Sequence, residues 1–460
     1  MIYSIIGSNY GDEGKGLAID YFSSQSDSTL VVRHNGGAQA GHTVEIGDKR
    51  FVFHELSSGS FRNADTYWAD TFFPDIYKLS DEMEAFHALS GITPRIYASP
   101  SACITTIDDV LINMLLESSR GDKRHGSCGM GINEANLRGK AGWGYTLGRL
   151  ISGTAARFYR ELVRIRKEYT TQRLCELGLT DTYDSEYYDL LKDDKVLYNF
   201  AETIFHNLPY VLIEENTGLL FERYDDILFE AGQGLRLDAE FKNNWPHVTA
   251  SRTGLPNVLH VPEECGRKLD EAVYVTRSYI TKHGAGPLKN EFTTSKAMLF
   301  DQTNIRNQWQ GKLRYARFDS IEEFVNEENN HNIWIYRFLY TENGLERCLG
   351  IDEDADRYLL LNPEEQDYAS FYGFRKSVET GEVKVSVIEG DAGVRYGDAV
   401  KFSRYENDDK GKVIYIIFHG EQLTYICGNA LQENDFTFIR SEGIVFSEKN
   451  LLFHGYRKKT

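Results

Sequence analysis

Apolar residues along this chain come in short runs of strand length, separated by glycine-rich polar stretches. Ile2 to Ile6 reads as a first strand and Leu17 to Phe22 as the start of a helix. Val31 to Arg33 is the next strand, and Phe51 to His54 another, ended by the turn Leu56-Ser57-Ser58-Gly59. Ile76 to Leu89 has helical spacing, Arg95 to Ala98 is a strand, and Ile107 to Ser118 is a further helix. Thr154 to Leu177 is long and amphipathic, with Arg157, Arg160, Arg164 and Lys167 on a solvated face. The acidic, tyrosine-rich residues 178–222 read as peripheral helices, and Ile227 to Phe229, Val273 to Thr281 and Ile333 to Tyr340 as strands. This alternation predicts an α/β fold with a mostly parallel central sheet and surrounding helices. Beyond Glu346 the helical pattern gives way to strand-like runs: Glu382 to Ile388, Ala399 to Ser403, Lys412 to His419, Leu423 to Cys427 and Phe436 to Arg440. The organisation expected is therefore a main α/β domain over 1–345 and a β-rich C-terminal region over 346–460. The latter is either an added module or a rebuilt end of the main domain.

The polar stretches between the runs carry the chemistry. Gly7-Ser8-Asn9-Tyr10-Gly11-Asp12-Glu13-Gly14-Lys15-Gly16 joins the first strand to the first helix. Glycines let backbone approach an anion, and the free N–H groups of a helix start point at it. Lys15 adds a mobile positive charge. Asp12 adds a carboxylate that phosphate binding alone does not need, which points to a metal ion or a proton transfer. The usual P-loop spacing is absent, since Lys15 is followed by Gly16 and Asp-Glu sits inside the loop. A second glycine-rich loop, Asn35-Gly36-Gly37-Ala38-Gln39-Ala40-Gly41-His42-Thr43, follows the next strand and carries His42. Asp12 and His42 thus form a candidate acid–base pair, one in each of two glycine-rich loops that follow a strand.

These two loops resemble those of the adenylosuccinate synthetase family, whose fold is related to the P-loop proteins. That family joins aspartate to IMP at the expense of GTP. Further stretches fit the resemblance in order. Gly126-Ser127-Cys128-Gly129-Met130-Gly131-Ile132 is similar to the loop that holds the 5′-phosphate, with Cys128 and Met130 in place of a threonine and an arginine. Phe229-Glu230-Ala231-Gly232-Gln233-Gly234, Leu237-Asp238, Trp245-Pro246-His247-Val248-Thr249 and Lys282-His283-Gly284-Ala285-Gly286-Pro287 follow. The resemblance implies catalytic roles for Asp12, His42 and Lys15. It implies nucleotide or phosphate contacts for Gly11, Glu13, Gly14, Gly16, Gln39, Gly41, Thr43, Ser127, Cys128, Gln233, Thr249 and Arg337. It implies an aspartate clamp from Lys312, Arg314 and Arg317, and Mg²⁺ on Asp12 and the Gly41 carbonyl. The implied partners are a purine nucleoside monophosphate, ATP or GTP, and L-aspartate.

Three departures bear on substrate and assembly. Ala141-Gly142-Trp143-Gly144 lacks the arginine that the family sends into a neighbouring subunit, which weakens the expectation of a shared-site homodimer; Arg138 or Lys140 is the available substitute. Leu339 stands where the family reads guanine with an Asp, and the family's closing Gly-Pro-Asp-Arg is missing. Two alternatives follow: a phage-type relative acting on dGMP with ATP or dATP toward 2-aminoadenine, and a catalytically idle nucleotide sensor.

Composition narrows the classes. The chain has 460 residues, 41% of them hydrophobic, which is ample for its own core. A net charge of -18 speaks against a nucleic-acid grip. No signal-peptide pattern or membrane span is visible. Six cysteines without a Cys-x-x-Cys pair fit reduced thiols in a cytoplasmic protein.

Overall fold

The computed structural model describes residues 1–7, 9–46, 49–121, 124–180, 185–277, 280–289, 291–292, 311, 313–316, 333–341, 344–349, 371–372, 387–388, 401–405, 412–419, 423–427 and 436–440. Its strands in chain order are β1 Ile2–Gly7, β2 Thr29–Arg33, β3 His42–Ile46, β4 Lys49–Phe53, β5 Asp65–Trp68, β6 Ile96–Ala98, β7 Val211–Ile213, β8 Asp226–Gly234, β9 Glu271–Arg277 and β10 Ile280–Lys282. They continue with β11 Glu291–Phe292, β12 Arg314–Ala316, β13 Ile333–Thr341, β14 Gly344–Leu349, β15 Phe371–Tyr372, β16 Val387–Ile388, β17 Lys401–Tyr405, β18 Lys412–His419, β19 Leu423–Cys427 and β20 Phe436–Arg440.

Ten strands form one sheet in the order β20-β19-β18-β9-β1-β8-β2-β5-β6-β7. Pairing is parallel from β18 through β9, β1, β8, β2, β5 and β6 to β7, and antiparallel between β18, β19 and β20. The expected mostly parallel sheet is present. Strands β1 and β2 are buried along their whole length, which is why they read as near-continuous apolar runs. The three last strands extend this sheet at its β9 edge, so this part of the tail is built onto the main sheet.

Helix α1 Lys15–Ser23 lies under the sheet, and its Leu17, Ala18, Tyr21 and Phe22 pack with Tyr3, Ile5, Val31 and Leu228. A larger core joins the β3–β4 hairpin to α2 Leu79–Ser90 through Phe51, Phe53, Phe61 and Phe86, whose rings meet edge-on or tilted. Helix α3 Ile107–Ser119 opens with a capping box between Thr106 and Asp109. Asp109 also receives Arg138, at the end of α4 Ile132–Arg138, and both side chains are 1% exposed.

Several expectations change at this level. His42, expected in a loop, is the first residue of β3 and pairs with Phe53. Lys15 is not a mobile surface charge; it is the first residue of α1 and only 3% exposed. Arg138 cannot stand in for the missing arginine, because its guanidinium is spent on Asp109 and the carbonyls of Ile104 and Trp143. Residues 178–222 are not all peripheral: the helix Asp194–Asn207 buries Leu197, Phe200, Ala201 and Ile204 in the large core, and β7 closes the sheet edge. Arg157, Arg160, Arg164 and Lys167 are exposed as expected, whereas Arg166 between them is buried on Asp108.

Removing one partner of a buried ion pair leaves the other charge unmatched. Asp109→Ala strands Arg138 and deletes the α3 cap, and a loss of about 3–5 kcal/mol is expected. A denaturation midpoint unchanged from wild type would refute this.

Candidate functional site

The parallel strands β1, β2, β8 and β9 all end on the same side, and the segments after them meet in one cleft of about 700 Å³. Asp12, Glu13, Gly14, Lys15, Gly16 and Gly11 line it from the loop after β1. Gln39, Gly41, His42 and Thr43 line it from the segment after β2. Ser127 and Cys128 come from the loop before α4, Gln233 from the end of β8, Thr249 from the segment beyond it, and Lys282 and His283 from the end of β10. All the expected nucleotide and catalytic residues of the first 250 positions therefore share one cavity.

Close backbone approach explains part of the glycine pattern. A Cβ on Gly16 would stand 3.1 Å from His42 Cβ, Ser58 Oγ and the Thr43 carbonyl, so the glycine lets β3 rest on α1. A Cβ on Gly126 would stand 2.8 Å from Gly284 Cα, at a φ of +84°, so the loop before α4 touches the Gly284 segment through backbone alone. Asp12 has φ 59° and Gln233 φ 64°, left-handed values that few non-glycine residues hold.

The central polar contact is His42 Nδ1 to Glu230 Oε1 at 2.5 Å. Glu230 is fully buried in β8 and also accepts from the Ser58 hydroxyl and, at 3.2 Å, the Ser58 N–H. Arg33 Nη1 lies 3.9 Å from its other oxygen. Burial alone would raise Glu230, but His42, Arg33 and the two hydrogen bonds outweigh it and bring it down to about 2. Burial lowers His42, against the pull of Glu230. We take Glu230 as the fixed anion of this pair, because two neighbours besides His42 also favour its charge. With Nδ1 engaged on Glu230, Nε2 is the ring nitrogen left for the cleft.

Glu13 and Lys15 are both buried, and burial pushes each toward its neutral form. Glu13 rises to about 7, held back by Lys15 and the Asn9 amide; Lys15 falls, held up chiefly by Glu13. Four buried side-chain atoms in this cleft have no hydrogen-bond partner among the described residues: Glu13 Oε2, Gln39 Oε1, Thr43 Oγ1 and Gln233 Oε1.

The loop before α4 is less open than its sequence suggests. The N–H groups of Gly126 and Ser127 donate to Glu117 Oε2 at 3.1 and 3.4 Å, and Arg120 pairs with the other Glu117 oxygen. The Ser127 hydroxyl donates to Asn113 and accepts from Gly129 N–H. Burial pushes the Cys128 thiol up to about 11, so it stays neutral. Lys140, the other expected substitute for the arginine sent into a neighbouring subunit, lines this cleft. Arg314 is not among the cleft-lining residues; its fork sits on Glu291 at 2.8 and 2.5 Å and on the Gly284 and Gly286 carbonyls. Arg337 lies on β13 opposite Leu349. Lys312 and Arg317 lie outside the described residues.

Glu230, Ser58, Glu117, Asn113 and His283 were not singled out by sequence. Glu230 had a usable signal, a carboxylate inside the apolar strand Ile227-Leu228-Phe229-Glu230-Ala231, since buried charges require partners. The others had none.

Comparisons with known proteins agree with this geometry. A model of the adenylosuccinate synthetase family matches residues 4–312. The adenylosuccinate synthetase of Borrelia recurrentis is 28% identical over 299 residues, 64% of this chain and 65% of its own length. That of Plasmodium falciparum is 29% identical over 293 residues, 63% of this chain and 62% of its own length. The chain thus spans less than two-thirds of these relatives. The solved structure of fully ligated adenylosuccinate synthetase from Plasmodium falciparum superposes with a TM-score of 0.56 at 21% identity, covering 83% of this chain and 90% of that one, a likeness of fold. No described helix is long and apolar enough to cross a membrane.

Because Glu230 is held at about 2 against an ordinary 4.5, its contribution to stability is complete above about 4.5 and is lost as pH falls toward 2. Glu230→Gln removes this titration. Its stability should therefore fall less than wild type over that acid range. Parallel curves for the two proteins would contradict the assignment.

Proposed function

The chain belongs to the adenylosuccinate synthetase family, and on that footing we propose that it is a ligase forming a C–N bond at C6 of a purine nucleotide. In this reading it uses IMP, a nucleoside triphosphate and aspartate, and yields adenylosuccinate, the diphosphate and phosphate. The observation that carries the reading is the convergence of Asp12, Lys15 and His42 in one cleft.

The chemistry follows from the substrate. A 6-oxopurine has a weakly nucleophilic oxygen that is also a poor leaving group. Asp12 takes the N1 proton, and the electron pair moves onto O6, which attacks the terminal phosphorus. In its imidazolium form, favoured by Glu230 and by the phosphate charge that enters with the nucleotide, His42 donates Nδ1–H to Glu230 and Nε2–H to a phosphoryl oxygen. Lys15 offsets negative charge as it develops. The amine of aspartate then displaces phosphate from C6. Asp12 and the Gly41 carbonyl would hold Mg²⁺, whose charge would neutralise the transferring phosphate. The donor chemistry fits this ion: a carboxylate and a backbone carbonyl are hard oxygen ligands, and both residues line the cleft.

A second reading, a phage-type enzyme using dGMP with ATP or dATP, is favoured at one point, Leu339 in β13. A leucine cannot accept from guanine N1–H and its amino group, and leaving those donors unpaired is costly. We therefore expect ATP or dATP to serve at least as well as GTP. Retention of Asp12 favours the IMP reading over the phage type. Phosphate release measured with IMP or dGMP, ATP or GTP, each with and without aspartate, separates these readings and the idle sensor. A strong preference for GTP would show that another group reads guanine.

Asp12→Asn and His42→Asn should each lower kcat by about 10²–10⁴. The thermal midpoint of Asp12→Asn should stay near wild type, because Asp12 is in a loop, whereas that of His42→Asn should fall, because the change takes a buried charged partner from Glu230. Full activity in either variant would remove that residue from the mechanism.

A further inference from the structure

The segment that leaves β10 is stitched to the catalytic loop residue by residue. Thr281 Oγ1 donates to the Gly11 carbonyl at 3.2 Å. The Lys282 ammonium lies 5.2 Å from the centre of the Tyr10 ring. His283 Nε2 lies 3.4 Å from Asp12 Oδ2, with both side chains only partly exposed, at 14% and 29%. Three consecutive residues, 281 to 283, thus each touch one of residues 10 to 12. The same segment is anchored elsewhere. Lys282 Nζ donates to the Ala285 carbonyl at 2.5 Å, and Gly284 packs backbone-to-backbone on Gly126.

Asp12 needs such an anchor. Its φ of 59° is a costly backbone state for a residue with a side chain, and such states persist where surrounding contacts over-determine them. A base must also reach its proton at hydrogen-bond distance, so the carboxylate has to be aimed as well as present. Glu230 aims His42, and His283 stands in the corresponding place beside Asp12.

We propose that His283 is the positioning residue for Asp12. Its Nε2–H donates to Oδ2 and holds the carboxylate toward the purine N1. The neutral Nε2–H tautomer and the imidazolium both supply this donor, so the role depends on the hydrogen bond and not on charge. A carboxylate has about four lone-pair sites, so a donor on Oδ2 leaves acceptor capacity for the N1 proton. The inference rests on the reading of Asp12 as the base.

The test compares His283→Leu, which fills the space without a donor, with His283→Gln, which restores a side-chain N–H. Phosphate release is followed in the full-length chain with IMP, ATP or GTP, and aspartate. His283→Leu should lower kcat by about 10–100-fold, as small misplacements of a catalytic group do, and leave the KM for IMP unchanged. His283→Gln should recover most of kcat. The double variant Asp12→Asn/His283→Leu should be no slower than Asp12→Asn alone, because both changes remove the same aimed carboxylate.

A His283→Leu variant with wild-type kcat, a change confined to KM, or a glutamine variant as slow as the leucine one overturns the proposal. The function reading fails in a separate way: a wild-type chain that releases no phosphate in any substrate combination removes both conclusions. An active chain that dies with Asp12→Asn but ignores His283→Leu removes only this one.

Discussion

A single buried charge organises the catalytic half of this molecule. Glu230 stands in a central strand with no exposure to solvent, and an isolated carboxylate there would be prohibitively costly. Its partners come from three separate places: Arg33 at the end of β2, His42 at the start of β3, and Ser58 in the turn after β4. Satisfying the carboxylate therefore fixes where the hairpin starts and where the turn lies. Gly16 then allows that hairpin to rest directly on α1, whose first turn carries Lys15. The orientation of the histidine is a consequence of this constraint, and so is much of the cleft wall.

The same logic operates at a smaller scale on the opposite wall. Asn35 and Gly232 exchange two hydrogen bonds, at 3.0 and 2.7 Å, and so tie the segment after β2 to the end of β8. Glu117 collects the amides of Gly126 and Ser127 and pairs with Arg120, which keeps the loop before α4 in a defined shape. The polar groups of the cleft thus fall into two classes. Some are spent on each other and give the site its form. Others, such as Gln39 Oε1 and Gln233 Oε1, are buried atoms without a hydrogen-bond partner among the described residues, on side chains that line the cleft.

What was legible in the sequence divides along the same line. Strand, glycine loop and helix are local patterns, so β1, α1, β2 and α3 were readable within a residue or two, whereas β8 runs on to Gly234, beyond the expected apolar run. The candidate residues Asp12, Lys15, His42, Gln233 and Thr249 were readable from their loops and from the family resemblance. Their partners were not, because the contacts span the chain: Glu230 is 188 residues from His42, and Asn113 is 14 from Ser127. Arg138 shows the limit most clearly. Its sequence position marks it as a substitute for the arginine sent into a neighbouring subunit, yet Asp109, 29 residues earlier, takes it into the core. Lys140, two positions on, has no such claimant in the sequence and remains at the cleft.

Several destabilising features of the fold lie in or beside the cleft. Glu13, Lys15 and Glu230 are buried ionisable groups, and Asp12 and Gln233 hold left-handed backbone. Each strained residue costs about 1–3 kcal/mol, and such costs are tolerated only where the rest of the structure is firm. Here the firmness lies in the adjacent cores. The Phe51, Phe53, Phe61 and Phe86 cluster backs the hairpin that carries His42, and the Tyr3, Phe22 and Val31 cluster backs α1 under Lys15. The strap at 281 to 283 does the equivalent work for the loop that carries Asp12, with backbone, ring and imidazole contacts instead of apolar packing. The two titratable residues Asp12 and His42, which line one cleft, are thus fixed by different physics. His42 is held by a charge in the interior, and Asp12 by a chain segment crossing the mouth of the sheet.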